Sequence, residues 1–150
     1  MKSIKYLVYL PLMLLVFVQP VRATESIGVI KTLSGVVTIN RDTGPVTAKL
    51  GEKVFAQDEL VTASQSTVGL LLNDDARISM GPDTVMKLDQ FSFNATTHEG
   101  AADVSVKHGT LSVIAGKMTE KTPGALKVKT PAAILAVRGT EFSVKVDPQP

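Results

Sequence analysis

From Ile27 onward the chain reads as short runs of apolar residues, many alternating with polar ones, separated by turn residues at regular intervals. The pattern predicts strands over Val36–Asn40, Val46–Leu50, Leu60–Ala63, Val68–Leu72, Arg77–Met80 and Val85–Leu88. Further strands are predicted over Phe91–Phe93, Val104–Lys107, Thr110–Ile114, Leu126–Lys129, Ala132–Val137 and Glu141–Val146. Between them stand Asp42-Thr43-Gly44-Pro45, Asn73-Asp74-Asp75, Gly81-Pro82-Asp83, His108-Gly109 and Thr122-Pro123-Gly124, all turn chemistry. His108-Gly109 is read as a hairpin turn. Ala132–Val137, bounded by Pro131 and Gly139, has the length of a buried strand. In Glu141–Val146 the alternation places Phe142, Val144 and Val146 on one face. No long stretch sustains a helical period. About a dozen strands at this spacing predict an all-β domain, a two-layer sandwich or a solenoid-like fold. A loose echo between "LSGVVTIN" and "HGTLSVIAG" leans toward the solenoid without fixing a repeat.

The N-terminus follows another rule. Lys2 and Lys5 precede an apolar stretch from Tyr6 to Val18, broken once by Pro11 and ended by Gln19-Pro20. Val21-Arg22-Ala23 then puts small residues at the −3 and −1 positions of a cleavage site. This order predicts a secretory signal helix over residues 1–23, cleaved before Thr24, and one β domain over residues 24–150. The stretch is shorter than the roughly 20 residues of a membrane-spanning helix, so a periplasmic or secreted protein with no span after cleavage is expected. Retention of the segment as an anchor is the alternative.

Removing the signal changes the charge balance. The whole chain carries a formal net charge of +2. Lys2, Lys5 and Arg22 leave with the signal, so 13 basic residues face 14 acidic ones. No dense basic cluster remains, which excludes a nucleic-acid footprint. There is no cysteine, so thiol catalysis, cysteine–zinc sites and disulfides are all excluded, and an exported domain must hold by packing alone. The mature part keeps Phe55, Phe91, Phe93 and Phe142 but no Trp or Tyr, few of the amphipathic aromatics that anchor sugars and bases.

Candidate chemistry is sparse. His98 and His108 lie in separate turn-like segments, and neither flanks a recognisable nucleophile motif. Asn73-Asp74-Asp75 lacks the spacing of a calcium loop and reads as an acidic turn. Asn94-Ala95-Thr96 matches a glycosylation sequon, which is a short pattern. No residue is assigned as catalytic, cofactor-binding or metal-ligating, and no cofactor is expected.

Several stretches together resemble a FecR-type domain. These are Gly35-Val36-Val37, "LGEKVFAQDELVTASQSTVGLLLNDDARISMGPDTVMKL" from Leu50 to Leu88, His108-Gly109-Thr110-Leu111, and the closing "VKTPAAILAVRGTEFSV" from Val128 to Val144. Within the second, Asp58-Glu59-Leu60-Val61-Thr62 fits the family's acidic D-x-L-x-T segment. The closing stretch fits its Thr-Pro-x-Ala and Val-Arg-Gly-Thr-x-Phe signature. The resemblance implies an all-β periplasmic domain of the kind that relays signals from an outer-membrane receptor to a cytoplasmic sigma factor. Such regulators place an anti-sigma segment and a membrane helix ahead of the domain. Only five residues precede the apolar run here, so direct sigma-factor control is not expected.

The motif residues singled out are Thr130, Pro131, Arg138, Gly139, Thr140 and Phe142, as structural or partner-contact positions. Gly139 suits a positive φ at a tight turn between two strands. Arg138 would then sit at its mouth, bonded to a carboxylate such as Glu141 or to backbone carbonyls, or else to a partner. The expected function is a non-enzymatic, exported protein-binding, assembly or signalling module of the cell envelope. Its partner is an unidentified envelope protein, and unpaired sheet edges are the contact surfaces. The alternative is a carbohydrate- or peptidoglycan-binding periplasmic protein.

Overall fold

The computed structural model describes residues 24–139 and 141–150; the predicted signal segment and Thr140 lie outside the described residues. The alternating pattern is realised as strands β1 (Gly28–Ser34), β2 (Val37–Arg41), β3 (Gly44–Thr47), β4 (Lys53–Val54), β5 (Glu59–Thr62) and β6 (Thr67–Leu72). They are followed by β7 (Arg77–Met80), β8 (Val85–Phe93), β9 (Gly100–Ile114), β10 (Leu126–Lys129), β11 (Ile134–Ala136) and β12 (Glu141–Val146). One short helix, α1 (Lys117–Lys121), follows β9, and nothing in the hydrophobic period announces it.

The strands form one curled sheet, a half-barrel, in the order β3-β2-β5-β8-β9-β7-β6-β1-β4. β10 and β12 add to β9, and β11 adds to β10. Pairing is antiparallel except between β9 and β10. The first part of β9 pairs with β8 and β10, and its last part with β7 and β12. One strand therefore belongs to both halves of the sheet. The inner faces close on a single aliphatic core that includes Ile30, Ile39, Leu60, Leu70, Ile78, Met86, Leu88 and Leu111. Each such side chain contributes about 1.5–3 kcal/mol on burial, which is how a chain without cysteine holds together.

The structure revises several predicted boundaries. Val85–Leu88 and Phe91–Phe93 are one strand, as are Val104–Lys107 and Thr110–Ile114. A bulge beside Asp89 explains the first break in pattern, because it shifts the inward parity from Met86 and Leu88 to Phe91 and Phe93. β3 begins at Gly44, since Arg41 pairs with Gly44 across the two-residue loop Asp42-Thr43. β1 is irregular in sequence because its register slips between Ile30 and Thr32.

His108-Gly109 is not a hairpin turn. It lies inside β9 at the shift from inward Val104 and Val106 to inward Leu111 and Val113. Gly109 has φ +102, and a Cβ there would overlap the backbone and side chain of Thr84. The close approach lets the Thr84 hydroxyl accept the Thr110 N–H at 3.0 Å. Thr84 N–H donates to Thr62 Oγ1 at 2.9 Å, and that hydroxyl donates to Gly81 O at 2.7 Å. The network stitches β5, the β7–β8 turn and β9 together where the sheet bends.

A second tie joins the edge strands. Arg41 Nε lies 3.1 Å from both oxygens of the buried Asp58 carboxylate, and its Nη1 is 3.3 Å from Glu52 Oε1. Its Nη2 donates to Lys53 O, and the guanidinium sits 5.0 Å from the centre of the Phe55 ring. Asp58 also accepts the Phe55 N–H at 3.0 Å.

Gly109→Ala combines a strained φ with a steric overlap against backbone. It is expected to lower folding stability by about 3 kcal/mol, read by urea unfolding. A loss under about 0.5 kcal/mol would show that β9 bends without it.

Candidate functional site

The closing motif builds one corner of the molecule. Thr130 N–H donates to Ala133 O at 2.8 Å, and the Thr130 hydroxyl accepts the Ala133 N–H at 3.1 Å. This closes the turn of a hairpin in which Lys129 pairs with Ile134 and Lys127 with Ala136. Pro131 sits in the turn, where no ladder hydrogen bond is asked of it. Beyond β11, Val137 is buried and its N–H donates to Leu126 O at 2.9 Å. Gly139 then takes φ +112 and the chain crosses to β12 on the other half of the sheet.

Gly139 thus has the expected backbone, but β11 and β12 do not pair, so the segment is a crossover and not a hairpin turn. Arg138 is exposed on it, and among the described residues no ion pair or side-chain hydrogen bond includes it. Phe142 is half-buried against the core with Val144 and Val146. Thr130 and Pro131 face Val144 and Val146 across a groove of about 250 Å³ that also takes in Lys145 and Asp147. Arg138, Gly139 and Phe142 do not line that groove. Thr140 lies outside the described residues.

The expectation that Ala132–Val137 is buried is overturned. β11 is an edge strand with Ile134 68% and Leu135 37% exposed, and only Val137 is buried. The physical reason is topological: among the described residues β11 is bonded to β10 alone, so it ends the sheet with no further strand beside it. Pro131 was the available signal, since proline is confined to edges and ends of sheets.

The other candidates resolve as structure. His98 stacks on Phe93 with ring centres 6.2 Å apart, and His108 Nδ1 lies 2.8 Å from Asp83 O. Among the described residues no group of three or more His, Cys, Asp or Glu is arranged to hold a metal ion. Asn73-Asp74-Asp75 is the β6–β7 turn, and it anchors α1. Asp74 O accepts the Lys117 N–H at 2.8 Å, and Asp75 pairs with Lys117 at 2.7 Å. That hydrogen-bonded pair holds the Asp75 carboxyl below its ordinary range. Asp74 is fully buried, with Oδ1 accepting the Ala76 N–H at 3.1 Å and Oδ2 without a partner among the described residues. Burial pushes its carboxyl above the ordinary carboxylate range.

A sequence profile described as FecR protein matches residues 58–150. The chain belongs to the FecR family. No curated protein and no solved structure matches it. The matched region opens at Asp58, and the geometry explains the residues there. In the D-x-L-x-T segment Asp58 binds Arg41, Leu60 enters the core and Thr62 joins the hydroxyl network at the bend. FecR membership suggests a signalling or regulatory module related to the cell envelope, and it is consistent with protein partners. The FecR closing motif, in turn, is the part that forms the exposed hairpin and crossover.

An acid whose pKa is raised by folding opposes the folded state above that value, and the opposition vanishes below its unfolded value of 3.8. Asp74→Asn is therefore expected to gain stability relative to the native chain as pH rises from about 4 to about 7. Urea unfolding of both proteins across that range checks it. A difference that does not change with pH contradicts the assignment.

Proposed function

We propose that this FecR-family protein is exported and serves as a non-enzymatic protein-binding module for signalling or assembly in the bacterial cell envelope. The observation that carries the reading is β11: a strand bonded on one side only, with Ile134 and Leu135 exposed beside a crossover that presents Arg138. An open edge offers main-chain donors and acceptors to an extended partner, and alternate side chains give selectivity. Its short length and the Pro131 turn limit it against indiscriminate pairing. Family membership supports a protein partner. Among the described residues no helix is long and apolar enough to cross a membrane.

The test is cross-linked affinity capture of the tagged protein from intact envelopes, read by mass spectrometry. A reproducible envelope-protein partner is expected, with cross-links at β11 and Arg138. Leu135→Lys should weaken capture at least about tenfold while changing stability little, because the position is already partly exposed. Arg138→Ala should leave stability within about 0.5 kcal/mol, since among the described residues it has no internal side-chain bond to lose, and weaken capture. Recovery of peptidoglycan fragments in place of a protein would overturn the reading in favour of a glycan.

A further inference from the structure

A second open edge lies elsewhere, within β8. The β5–β8 ladder runs through Glu59↔Lys87 and ends where Gln57 N–H meets Leu88 O and the Gln57 side-chain amide caps Asp89 O. β8 itself continues to Phe93, paired only with β9. Which groups this leaves unbonded follows from the ladder. Asn94 N–H donates to Glu99 O at 2.9 Å, and bonded and non-bonded pairs alternate in an antiparallel pair. Ser92↔Ala101 is thus a bonded pair, whereas Phe91↔Ala102 and Phe93↔Gly100 are not. Ala102 N–H agrees, since it turns the other way to Ala125 O at 2.9 Å. Phe91 and Phe93 therefore direct their N–H and C=O groups away from β9, and no described residue receives them.

Beside this edge opens a cleft of about 460 Å³. Phe91, Phe93, Ile27 and Ala56 give it apolar walls, and Glu25 and Asn73 stand at its polar side. The volume falls in the range of ligand-binding clefts. Asn73 Nδ2 is committed to Ser26 O at 2.7 Å, which leaves its Oδ1 to accept. His98 stacks on Phe93 and steadies that ring.

The geometry points to a peptide-binding site: an extended segment of a partner protein adds to β8 at Phe91 and Phe93, sets an apolar side chain in the cleft and carries a basic residue toward Glu25. Two outward N–H/C=O pairs two residues apart repeat at about 6.7 Å, the repeat of an extended chain, and that spacing selects a peptide over a sugar. The cleft's charge selects the base. The site shares with the reading above only the premise that the domain binds protein; it uses a different edge.

The test is amide hydrogen exchange by NMR on the full chain, with a pool of hexapeptides that alternate apolar and polar residues and carry one lysine. In the free protein the Phe91 and Phe93 amides should exchange at least about tenfold faster than that of Ser92. The pool should slow both at least about tenfold. Ala56→Trp should abolish the slowing by filling the cleft. Glu25→Lys, at an exposed position ahead of the first strand, should weaken binding of the lysine peptides and spare their neutral counterparts. Protection of both amides without peptide, no slowing with the pool, or a response to a chitin disaccharide in its place would overturn the proposal. Capture through β11 should be unchanged in Ala56→Trp, so failure here and failure of the envelope-partner reading are separately visible.

Discussion

The architecture depends on β9 serving two halves of one sheet. A strand can do this only if it bends and resets its inward parity, and both happen at Gly109, whose φ of +102 and lack of a Cβ let it pass against Thr84. Everything on either side follows from that contact. Val104 and Val106 enter the core from one half and Leu111 and Val113 from the other. The exposed C-terminal strands are placed by the same device, because β10 joins the first part of β9 and β12 the last.

The polar groups inside the fold are satisfied in sets, which is what makes them tolerable in an aliphatic core. Thr62, Thr84 and Thr110 form one such set at the bend. Arg41, Asp58, Glu52 and the Phe55 ring form another at the edge. Removing one partner from a buried ion pair of this kind costs about 3–5 kcal/mol, far more than the pair itself contributes. Surface pairs such as Lys145–Asp147, 3.6 Å apart and exposed on both sides, carry little by comparison. Among the described residues the exceptions are Thr119, whose buried hydroxyl has no partner, and Asp74, with one carboxylate oxygen unpartnered. Its position under Gly116 and Lys117 makes it the seat of the connection from β9 to β10.

Among the described residues β3, β4, β11 and β12 are each paired on one side only, as is the far end of β8. β11 and the far end of β8 each present main chain with one side unpaired, and each has apolar side chains close by. The histidines of the domain are engaged with Phe93 and Asp83 O, and the two proposed contact surfaces are these edges. They are directional, because backbone groups ask for an extended partner, and selective, because the neighbouring side chains differ.

The sequence by itself determined the class of the fold and the membership of the family. Alternation in Glu141–Val146 sets Phe142, Val144 and Val146 on the half-buried face, Asn73–Asp75 and Gly81–Asp83 carry the composition of the turns they form, and Gly139 marks the positive φ it adopts. These are local properties, set by the two-residue period of a strand and by backbone sterics. Only the tertiary structure decided that His108-Gly109 lies within a strand, that Ile134 and Leu135 face solvent, and that Arg138 stands on a crossover. A glycine at a bulge and a glycine at a turn leave the same mark in sequence, and an apolar run does not say which side of it a neighbour will cover. Pairing between strands far apart in the chain settles both, and that is a property of the assembled sheet.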